Sequence, residues 1–379
     1  MLRLLAIIVL VHLFMAWRLL PDLPFGVSGA IAMISLLVLS AGAMPFGEFS
    51  RRNKHSALWD YLAGAGFLAM GFFSSLLVLT LLREAVLLAG YAASGWLIGT
   101  AWMRPLHVWS AAAVPVLAVL VTIVGFINAR RRAVVRNVEV PIAGLPARLH
   151  GFTIAQISDI HVGTTIKNGY VSRIVDAVNA LDADMIAVTG DLVDGSVKRL
   201  SAHTAPLARL SARHGTFFVT GNHEYYSGAD AWVAEMRRLG LRVLLNEHVV
   251  LEHDGEAVVV AGVTDYSAHH FNPAQRSDPV AALAGAPAAA GVKVLLAHQP
   301  RSAFAAANAG YDLQLSGHTH GGQFFPWNLL VKLIEPFAAG LHRLDKLWVY
   351  VSRGTGYWGP PKRFGAPSEI TRLRLVPAA

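Results

Sequence analysis

Hydrophobic residues are concentrated in the first third of the chain, in long segments that carry no charge. Three segments lack Asp, Glu, Lys and Arg entirely: 25–47, 61–82 and 109–129. As a helix, each is long enough to cross a hydrocarbon core of about 30 Å. A fourth segment, 4–20, is nearly as apolar and carries only Arg18, whose charge can reach the headgroup region. The pattern predicts a helical transmembrane region of about four spans over residues 1–129.

Two segments at the front of the chain have a second interpretation. Segment 4–20 could be a cleaved signal peptide, but three further spans follow it and no clear small-x-small cleavage site does. Segment 85–103 is uncharged but diluted by three glycines, and charged residues stand on both sides of it. We expect it to be interfacial or re-entrant, with a fifth span as the alternative.

Basic residues beside the spans predict the orientation in the membrane. One cluster follows the second span and another follows the last: Arg51, Arg52 and Lys54, then Arg130, Arg131, Arg132 and Arg136. With four spans both clusters lie on the cytoplasmic side, as the positive-inside rule prefers. Five spans would separate them and place the C-terminal part outside. We expect the C-terminal part in the cytoplasm.

Composition adds limits on cofactors and partners. The chain has no cysteine, which excludes disulfides and thiolate metal ligands. Its formal net charge of +8 is spread along the sequence, with no concentrated basic face of the kind that nucleic acids require, so no nucleic-acid partner is expected. The oligomeric state is not determined by the sequence.

From about residue 137 the pattern changes to short β-rich runs separated by helical segments and turns. This alternation predicts a layered α/β domain, with a β-sandwich flanked by helices. We place a basic linker and a first strand at 130–148 and the main domain at 149–379.

Five predicted strands in this domain end in polar residues. The runs are 152–158, 184–188, 216–220, 292–296 and 312–315. They are followed by Asp159 and His161, Asp191 and Asp194, Asn222 and His223, His298, and His318 and His320. Loops at strand ends are where such folds build their sites.

The residue types and spacings indicate a metal site. Two residues that are two positions apart, as in Asp159-x-His161 and His318-x-His320, can project toward one point. Glycines immediately before Asp191, Asn222 and His318 permit sharp turns and close approach. Imidazole, carboxylate and amide donors together suit Mn, Fe or Zn. Asp191 is the natural bridge, because a carboxylate has two oxygens.

Taken in order, the blocks Asp-x-His, Gly-Asp-x-x-Asp, Gly-Asn-His-Glu, a lone His and Gly-His-x-His resemble the calcineurin-like metallophosphoesterase family over roughly residues 150–375. Later residues are similar to the signature of its bacterial YkuE and YaeI branch, in which transmembrane members occur: Arg353-Gly354-Thr355-Gly356, Pro361, Arg363, Pro367 and Glu369-Ile370. The resemblance implies a bacterial inner-membrane protein.

The resemblance also implies roles for individual residues. One divalent metal ion would be held by Asp159, His161, Asp191 and His320, and a second by Asp191, Asn222, His298 and His318. His223 would stand beside the phosphoryl group to stabilise charge or protonate the leaving oxygen, and Asp194 would orient His223. A bridging water or hydroxide would attack phosphorus. Glu224 is expected either to accept a hydrogen bond from a ligand histidine or simply to begin a helix, and Arg353 and Arg363 are either phosphate contacts or solvated surface residues.

The expected function is hydrolysis of a phosphomonoester, phosphodiester or pyrophosphate, soluble or lipid-linked, by a membrane-anchored enzyme. The alternative is a membrane sensor or scaffold whose domain binds a phosphorylated ligand without turnover. A transporter is disfavoured, because the three uncharged spans carry no ionisable group.

Overall fold

A computed structural model describes residues 2–49, 57–94 and 101–378. The chain separates into two compact units. The first, called the helical unit, comprises Met1–Arg130 together with Gly359–Phe364. The second, called the sheet unit, comprises Arg131–Trp358 and Gly365–Ala379.

The helical unit contains four long helices: α1 (Leu2–Leu19), α2 (Gly26–Phe49), α3 (Ala57–Ala93) and α4 (Met103–Arg130). Within the described residues, these are the four helices that are long and apolar enough to cross a membrane. Each predicted span falls on one of them. The predicted helical transmembrane region of four spans is therefore matched in number and order.

The structure describes part of segment 85–103 as a continuation of helix α3. The helix runs without a break to Ala93, and residues 95–100 lie outside the described residues. The interfacial or re-entrant position of the segment, with a fifth span as the alternative, stays a prediction. The sequence suggested a boundary at Arg83 and Glu84. The structure pairs these charges inside the unit: Arg83, whose side chain is 1% exposed, forms ion pairs with Asp22 and Glu84 and donates to Ser110 Oγ at 2.9 Å. Paired charges do not interrupt a helix.

Residues Gly359–Phe364 belong to the helical unit although they are distant from it in sequence. Lys362 Nζ donates to the backbone oxygen of Gly71 at 2.8 Å and to Ser75 Oγ. The backbone N–H of Arg363 donates to Gly125 O at 2.8 Å. A Cβ on Gly125 would lie 2.6 Å from Lys362 Cγ, so close packing requires glycine there. The Arg363 side chain is buried, which excludes the expected solvated surface position.

The sheet unit contains two six-stranded sheets. The first has the order β1-β12-β2-β3-β4-β5, and the second has the order β10-β11-β9-β8-β7-β6. The strands are β1 (Val134–Ile142), β2 (Thr153–Ile157), β3 (Met185–Val188), β4 (Thr216–Phe218), β5 (Arg242–Val243), β6 (Glu247–His253), β7 (Glu256–Gly262), β8 (Val292–Leu296), β9 (Leu313–Ser316), β10 (Gly340–Leu344), β11 (Leu347–Val351) and β12 (Glu369–Pro377).

The two sheets pack face to face over a common apolar core. That core joins side chains from both sheets, among them Ile154 and Phe217 from the first and Val260, Val294 and Leu315 from the second. Seven helices complete the unit: α5 (Asn168–Asn179), α6 (Val197–Thr204), α7 (Asn222–Ser227), α8 (Ala229–Arg238), α9 (Pro279–Ala282), α10 (Ala303–Ala309) and α11 (Trp327–Ile334). The predicted helix-flanked β-sandwich is confirmed.

The five strands predicted to carry polar residues at their ends are β2, β3, β4, β8 and β9. In the first sheet β2, β3 and β4 run parallel, and in the second β8 and β9 run parallel. Parallel strands bring their carboxyl ends to one edge of a sheet. The two edges, facing each other across the sandwich, therefore supply all of the candidate site.

Candidate metal centre

The loops that follow these strands hold an unusual backbone conformation. Five of the predicted ligands have φ between +51° and +72°, in the left-handed region that side chains other than glycine rarely adopt: Asp159, His161, Asp191, His318 and His320. Such conformations cost on the order of 1–3 kcal/mol each and persist only where surrounding contacts hold them. Here the backbone N–H of Asp159 donates to Gly190 O at 3.0 Å, and that of His161 donates to Asp191 O at 3.1 Å.

Asp159, His161 and His320 form the first group of candidate ligands, with donor atoms within 4.8 Å of one another. The Nε2 atoms of His161 and His320 are 3.1 Å apart, and His320 Nε2 is 3.5 Å from Asp159 Oδ1. His161 Nδ1 donates to Asp194 Oδ1 at 3.2 Å, so its Nε2 lone pair is free to bind a cation. Two ring nitrogens and a carboxylate oxygen at these separations fit a shared cation.

Asp191, His298 and His318 form the second group. His298 Nδ1 donates to the backbone oxygen of Thr189 at 2.8 Å, which leaves Nε2 as the ligand atom. That Nε2 is 3.1 Å from Asp191 Oδ2 and 3.2 Å from His318 Nδ1, and His318 Nδ1 is 3.1 Å from Asn222 Oδ1. Burial, followed by the charge of His298, lowers the pKa of His318 to about 3, so this imidazole is neutral, as a ligand must be.

Asp191 connects the two groups. Its Oδ2, which is 3.1 Å from His298 Nε2, is also 3.9 Å from His161 Nε2 in the first group. Although burial opposes it, the Asp191 charge raises the pKa of His298 well above its ordinary value. The buried carboxylate therefore creates a negative potential that a cation would neutralise. This position is the one expected for a bridging ligand.

His223 and Asp194 lie beside the two groups. His223 Nδ1 donates to Asp194 Oδ1 at 2.5 Å, and the His223 backbone N–H donates to Asp191 Oδ1 at 2.8 Å. Burial opposes the shift, but the charge of His161 and hydrogen bonds from His161 and His223 lower the pKa of Asp194. Burial also opposes the shift of His223, but the charges of Asp191 and Asp194 raise its pKa. The sequence suggested that Asp194 orients His223; it did not indicate that the same carboxylate also holds His161.

Glu224 lies in the first turn of α7, as one of the two expectations described, and it also holds the backbone of the candidate metal centre. Its carboxylate accepts three backbone N–H groups: those of Asp191 at 2.9 Å, Leu192 at 2.8 Å and Gly221 at 2.7 Å. It therefore fixes the two loops that carry Asp191 and Asn222. Within the part of the chain that the structure describes, Glu224 makes no hydrogen bond to a ligand histidine. The Gly-Asn-His-Glu block contains the residue, but sequence spacing could not show which amides it would reach.

The glycines before the ligands are required by close packing, as predicted. A Cβ on Gly221 would lie 2.2 Å from Asp191 Oδ1. A Cβ on Gly317 would lie 2.0 Å from Ser158 Oγ and 2.2 Å from Asp159 Oδ2. Real Cβ atoms do not approach oxygen so closely. Each glycine thus lets the backbone of one loop touch a ligand from another.

The structure brings together all nine residues that the sequence singled out: Asp159, His161, Asp191, Asp194, Asn222, His223, His298, His318 and His320. Their donors are carboxylate oxygens, imidazole nitrogens and one amide oxygen. This set fits Mn, Fe or Zn better than an ion that takes oxygen ligands alone. Arg353 pairs with Glu369 at 3.4 Å, and its side chain packs against Gly321, next to His320.

Comparisons with known proteins give one consistent result. A family profile described as calcineurin-like phosphoesterase matches residues 152–322. A Danio rerio protein named "Transmembrane protein with metallophosphoesterase domain" is 38% identical over 275 residues, which cover 69% of this chain and 63% of the relative. The chain therefore spans less than two thirds of that relative's length.

A second relative is covered more fully. An Aquifex aeolicus protein named as an uncharacterized metallophosphoesterase is 34% identical over 224 residues, which cover 59% of this chain and 84% of the relative. Among solved structures, a 5'-nucleotidase precursor from Thermus thermophilus aligns with a TM-score of 0.39 at 15% identity, over 59% of this chain and 54% of that one.

Proposed function

The chain belongs to the calcineurin-like metallophosphoesterase family, and from this premise we propose that it is a membrane-anchored phosphoric ester hydrolase that uses two divalent metal ions. The observation that carries the proposal is the convergence of two ligand groups on one shared carboxylate, Asp191. A single structural cation would not need a second group of donors so close by.

We assign the ligands as follows. Asp159, His161, Asp191 and His320 hold one ion; Asp191, Asn222, His298 and His318 hold the other. The tautomers support this assignment, because His161 and His298 each donate Nδ1–H to an acceptor outside the group and so present Nε2 to the ion. The identity of the pair is Mn, Fe or Zn by donor chemistry.

Bound divalent ions supply charge neutralisation at the phosphoryl oxygens and make a water molecule acidic enough to act as the nucleophile. His223 contributes the proton chemistry. Its Nδ1–H is held by Asp194, which leaves Nε2 to donate a proton or a hydrogen bond to the leaving oxygen. Carboxylates at Asp191 and Asp194 raise the pKa of His223 against the effect of burial, so the ring carries its proton at neutral pH more readily than a free imidazole.

The membrane region bears on the substrate. Four apolar helices make this a membrane protein and tether the sheet unit to a bilayer. Tethering raises the effective concentration of any substrate that lies in the same membrane. We therefore include lipid-linked phosphoesters and pyrophosphates, together with soluble phosphomonoesters and phosphodiesters, among the candidate substrates, and we place the sheet unit in the cytoplasm of a bacterial cell.

Hydrolysis by the purified full-length protein tests the proposal. In detergent with Mn²⁺, we expect cleavage of a chromogenic phosphoester, at least about 100-fold loss in Asp191→Ala and His223→Ala, and wild-type rates in Glu252→Ala, whose side chain is exposed on β6. Wild-type rates in both site variants would refute the assignment. Tight binding of phosphate without any turnover would instead favour a sensor or scaffold.

A further inference from the structure

Helix α11 in the sheet unit exposes nearly all of its apolar side chains. Its sequence is Trp-Asn-Leu-Leu-Val-Lys-Leu-Ile, and none of its eight residues is buried. Leu333 is 83% exposed and Ile334 is 66% exposed. Exposed leucines that occur singly are ordinary on a protein surface, but a helix that buries none of its large apolar residues is not.

A second element extends the same surface. Phe304, on α10, is 53% exposed and lines a groove of about 500 Å³ together with Leu333 and Ile334. We call these residues the α11 patch: Trp327, Leu329, Leu330, Leu333, Ile334 and Phe304. The patch is therefore continuous over two helices that are separate in sequence.

Basic groups border the patch. Lys332 stands between its leucines, and Arg301 lines the groove beside Leu333, where it donates to the Ile334 carbonyl at 3.0 Å and pairs with Glu335 at 3.2 Å. A tryptophan at one end, leucines along the helix and cations at the margin are the composition of helices that lie in a membrane interface. Lys332 at the edge complements anionic lipid headgroups, whereas the charge of Arg301 is balanced by Glu335.

We propose that the α11 patch inserts into the surface of the bilayer to which the four apolar helices of the same chain hold it. Those helices anchor the chain in a bilayer, which raises the effective concentration of lipid at the sheet unit. A protein partner would have to be recruited, whereas the bilayer is present at high local concentration. Lipid is therefore the occupant that fits both the composition of the patch and its surroundings.

The patch lies beside the candidate metal centre. A groove of about 250 Å³ is lined by His318 and Thr319 together with Trp327, Leu330 and Ile334 of α11. An apolar chain seated along α11 would present its phosphate end toward His318. Resting on the phosphoesterase function proposed above, this geometry assigns the substrate to phosphoesters that carry a long apolar chain and lie at the bilayer surface.

The chain has no cysteine, so a single introduced thiol can be labelled without background. Full-length Leu333→Cys would be reconstituted in nanodiscs of phosphatidylcholine and phosphatidylglycerol and treated with a water-soluble maleimide. The matched control is Lys346→Cys, in the exposed turn between β10 and β11. We expect the thiol of Leu333→Cys to react at least about 10-fold more slowly than that of Lys346→Cys, and a fluorophore at position 333 to be quenched by spin-labelled lipids.

Two results would overturn the insertion. Equal labelling at the two positions would show that the patch faces water. Protection that grows with the protein-to-lipid ratio and occurs without quenching by spin-labelled lipid would show that a second copy of the chain covers it.

A paired substrate assay tests the lipid groove. We would compare kcat/KM for a p-nitrophenyl phosphodiester with a dodecyl chain and for its methyl analogue. The dodecyl-to-methyl ratio should fall about 10-fold in Leu330→Asn and should not change in Val250→Asn, an exposed position on β6. An unchanged ratio in Leu330→Asn would refute the groove. Absence of all hydrolysis would refute the phosphoesterase proposal and leave the labelling result intact, so the two failures are distinguishable.

Discussion

Replacement of Glu224 by glutamine tests how the metal centre is held in place. The carboxylate is almost completely buried and accepts the amides of Asp191 and Gly221 on Oε2 and that of Leu192 on Oε1. Glutamine has the same shape but only one acceptor oxygen. Its NH₂ group must therefore face at least one buried N–H donor.

The smallest loss follows if the NH₂ group faces the Leu192 amide and the other two bonds remain. One buried hydrogen bond is then replaced by a contact between two donors, which costs about 2–3 kcal/mol. Burial and the charge of Asp191 raise the pKa of Glu224, so loss of its negative charge is not the destabilising element. The destabilising element is the buried N–H group that loses its hydrogen-bond acceptor.

We expect Glu224→Gln to lower the thermal unfolding midpoint of the sheet unit by about 4–12 °C, since 1 kcal/mol corresponds to about 2–4 °C for a unit of this size. Mn²⁺ should bind about 10–100-fold more weakly, because Glu224 holds the loop of Asp191. Fluorescence-detected unfolding and calorimetric titration of the purified protein measure the two effects.

The control is Glu252→Gln, the same chemical change at an exposed position on β6. It should leave both the unfolding midpoint and the Mn²⁺ affinity at wild-type values. If Glu224→Gln also matched the wild type in both measurements, the three amide contacts would contribute nothing to the site, and the reasoning would be refuted.

Three further predictions concern other parts of the sheet unit. Asp194→Asn should lower kcat/KM by about 10²–10³-fold, because the imidazoles of His161 and His223 lose their charged acceptor. Asp176→Asn, a change at an exposed surface position, should keep the wild-type rate. Similar rates in the two variants would contradict the role of the Asp194 carboxylate. Gly317→Ala should abolish metal binding, measured as bound metal per chain, because its Cβ would lie 2.0 Å from the nearest side-chain oxygen. Gly169→Ala, where a Cβ meets nothing within 4 Å, should bind metal normally. Full metal occupancy in Gly317→Ala would rule out the clash. Burial and a neighbouring histidine lower the pKa of His214 below 6.5, so the unfolded chain binds more protons than the folded one as pH falls through that value. The thermal unfolding midpoint should therefore decrease between pH 8 and pH 5, and His214→Gln should make this decrease smaller. An equal decrease in the variant would exclude His214 as its source.

Much of the architecture followed from local pattern. The strands that precede the candidate ligands were predicted because each is a short apolar run that ends in a polar turn, and parallel pairing then brings those turns to one edge. The four long helices followed from uncharged length alone. The continuation of helix α3 to Ala93 does not follow from the sequence, because Arg83 and Glu84 suggest a boundary and the pairing of Arg83 with Asp22, 61 residues away, leaves no local signal.

The remaining features depend on contacts between distant residues. The sharing of Asp194 by His161 and His223 arises only when three loops meet, and the same holds for the amides that Glu224 accepts. The packing of Lys362 against Gly71 joins positions 291 apart in sequence. No hydrophobic period or spacing predicts such a pair, because the residues between them form an entire folded unit.

The left-handed backbone at the ligands limits how this metal centre can evolve. Asp, Asn and His are the side chains that tolerate positive φ best after glycine, and those at Asp159, His161, Asp191, His318 and His320 come from this small set. Exchange within the set changes the charge and hardness of the donor and leaves the loop undisturbed. A change to a β-branched residue would break the loop as well as remove a ligand. At these five positions the main-chain conformation therefore restricts changes of metal preference to exchanges among Asp, Asn and His.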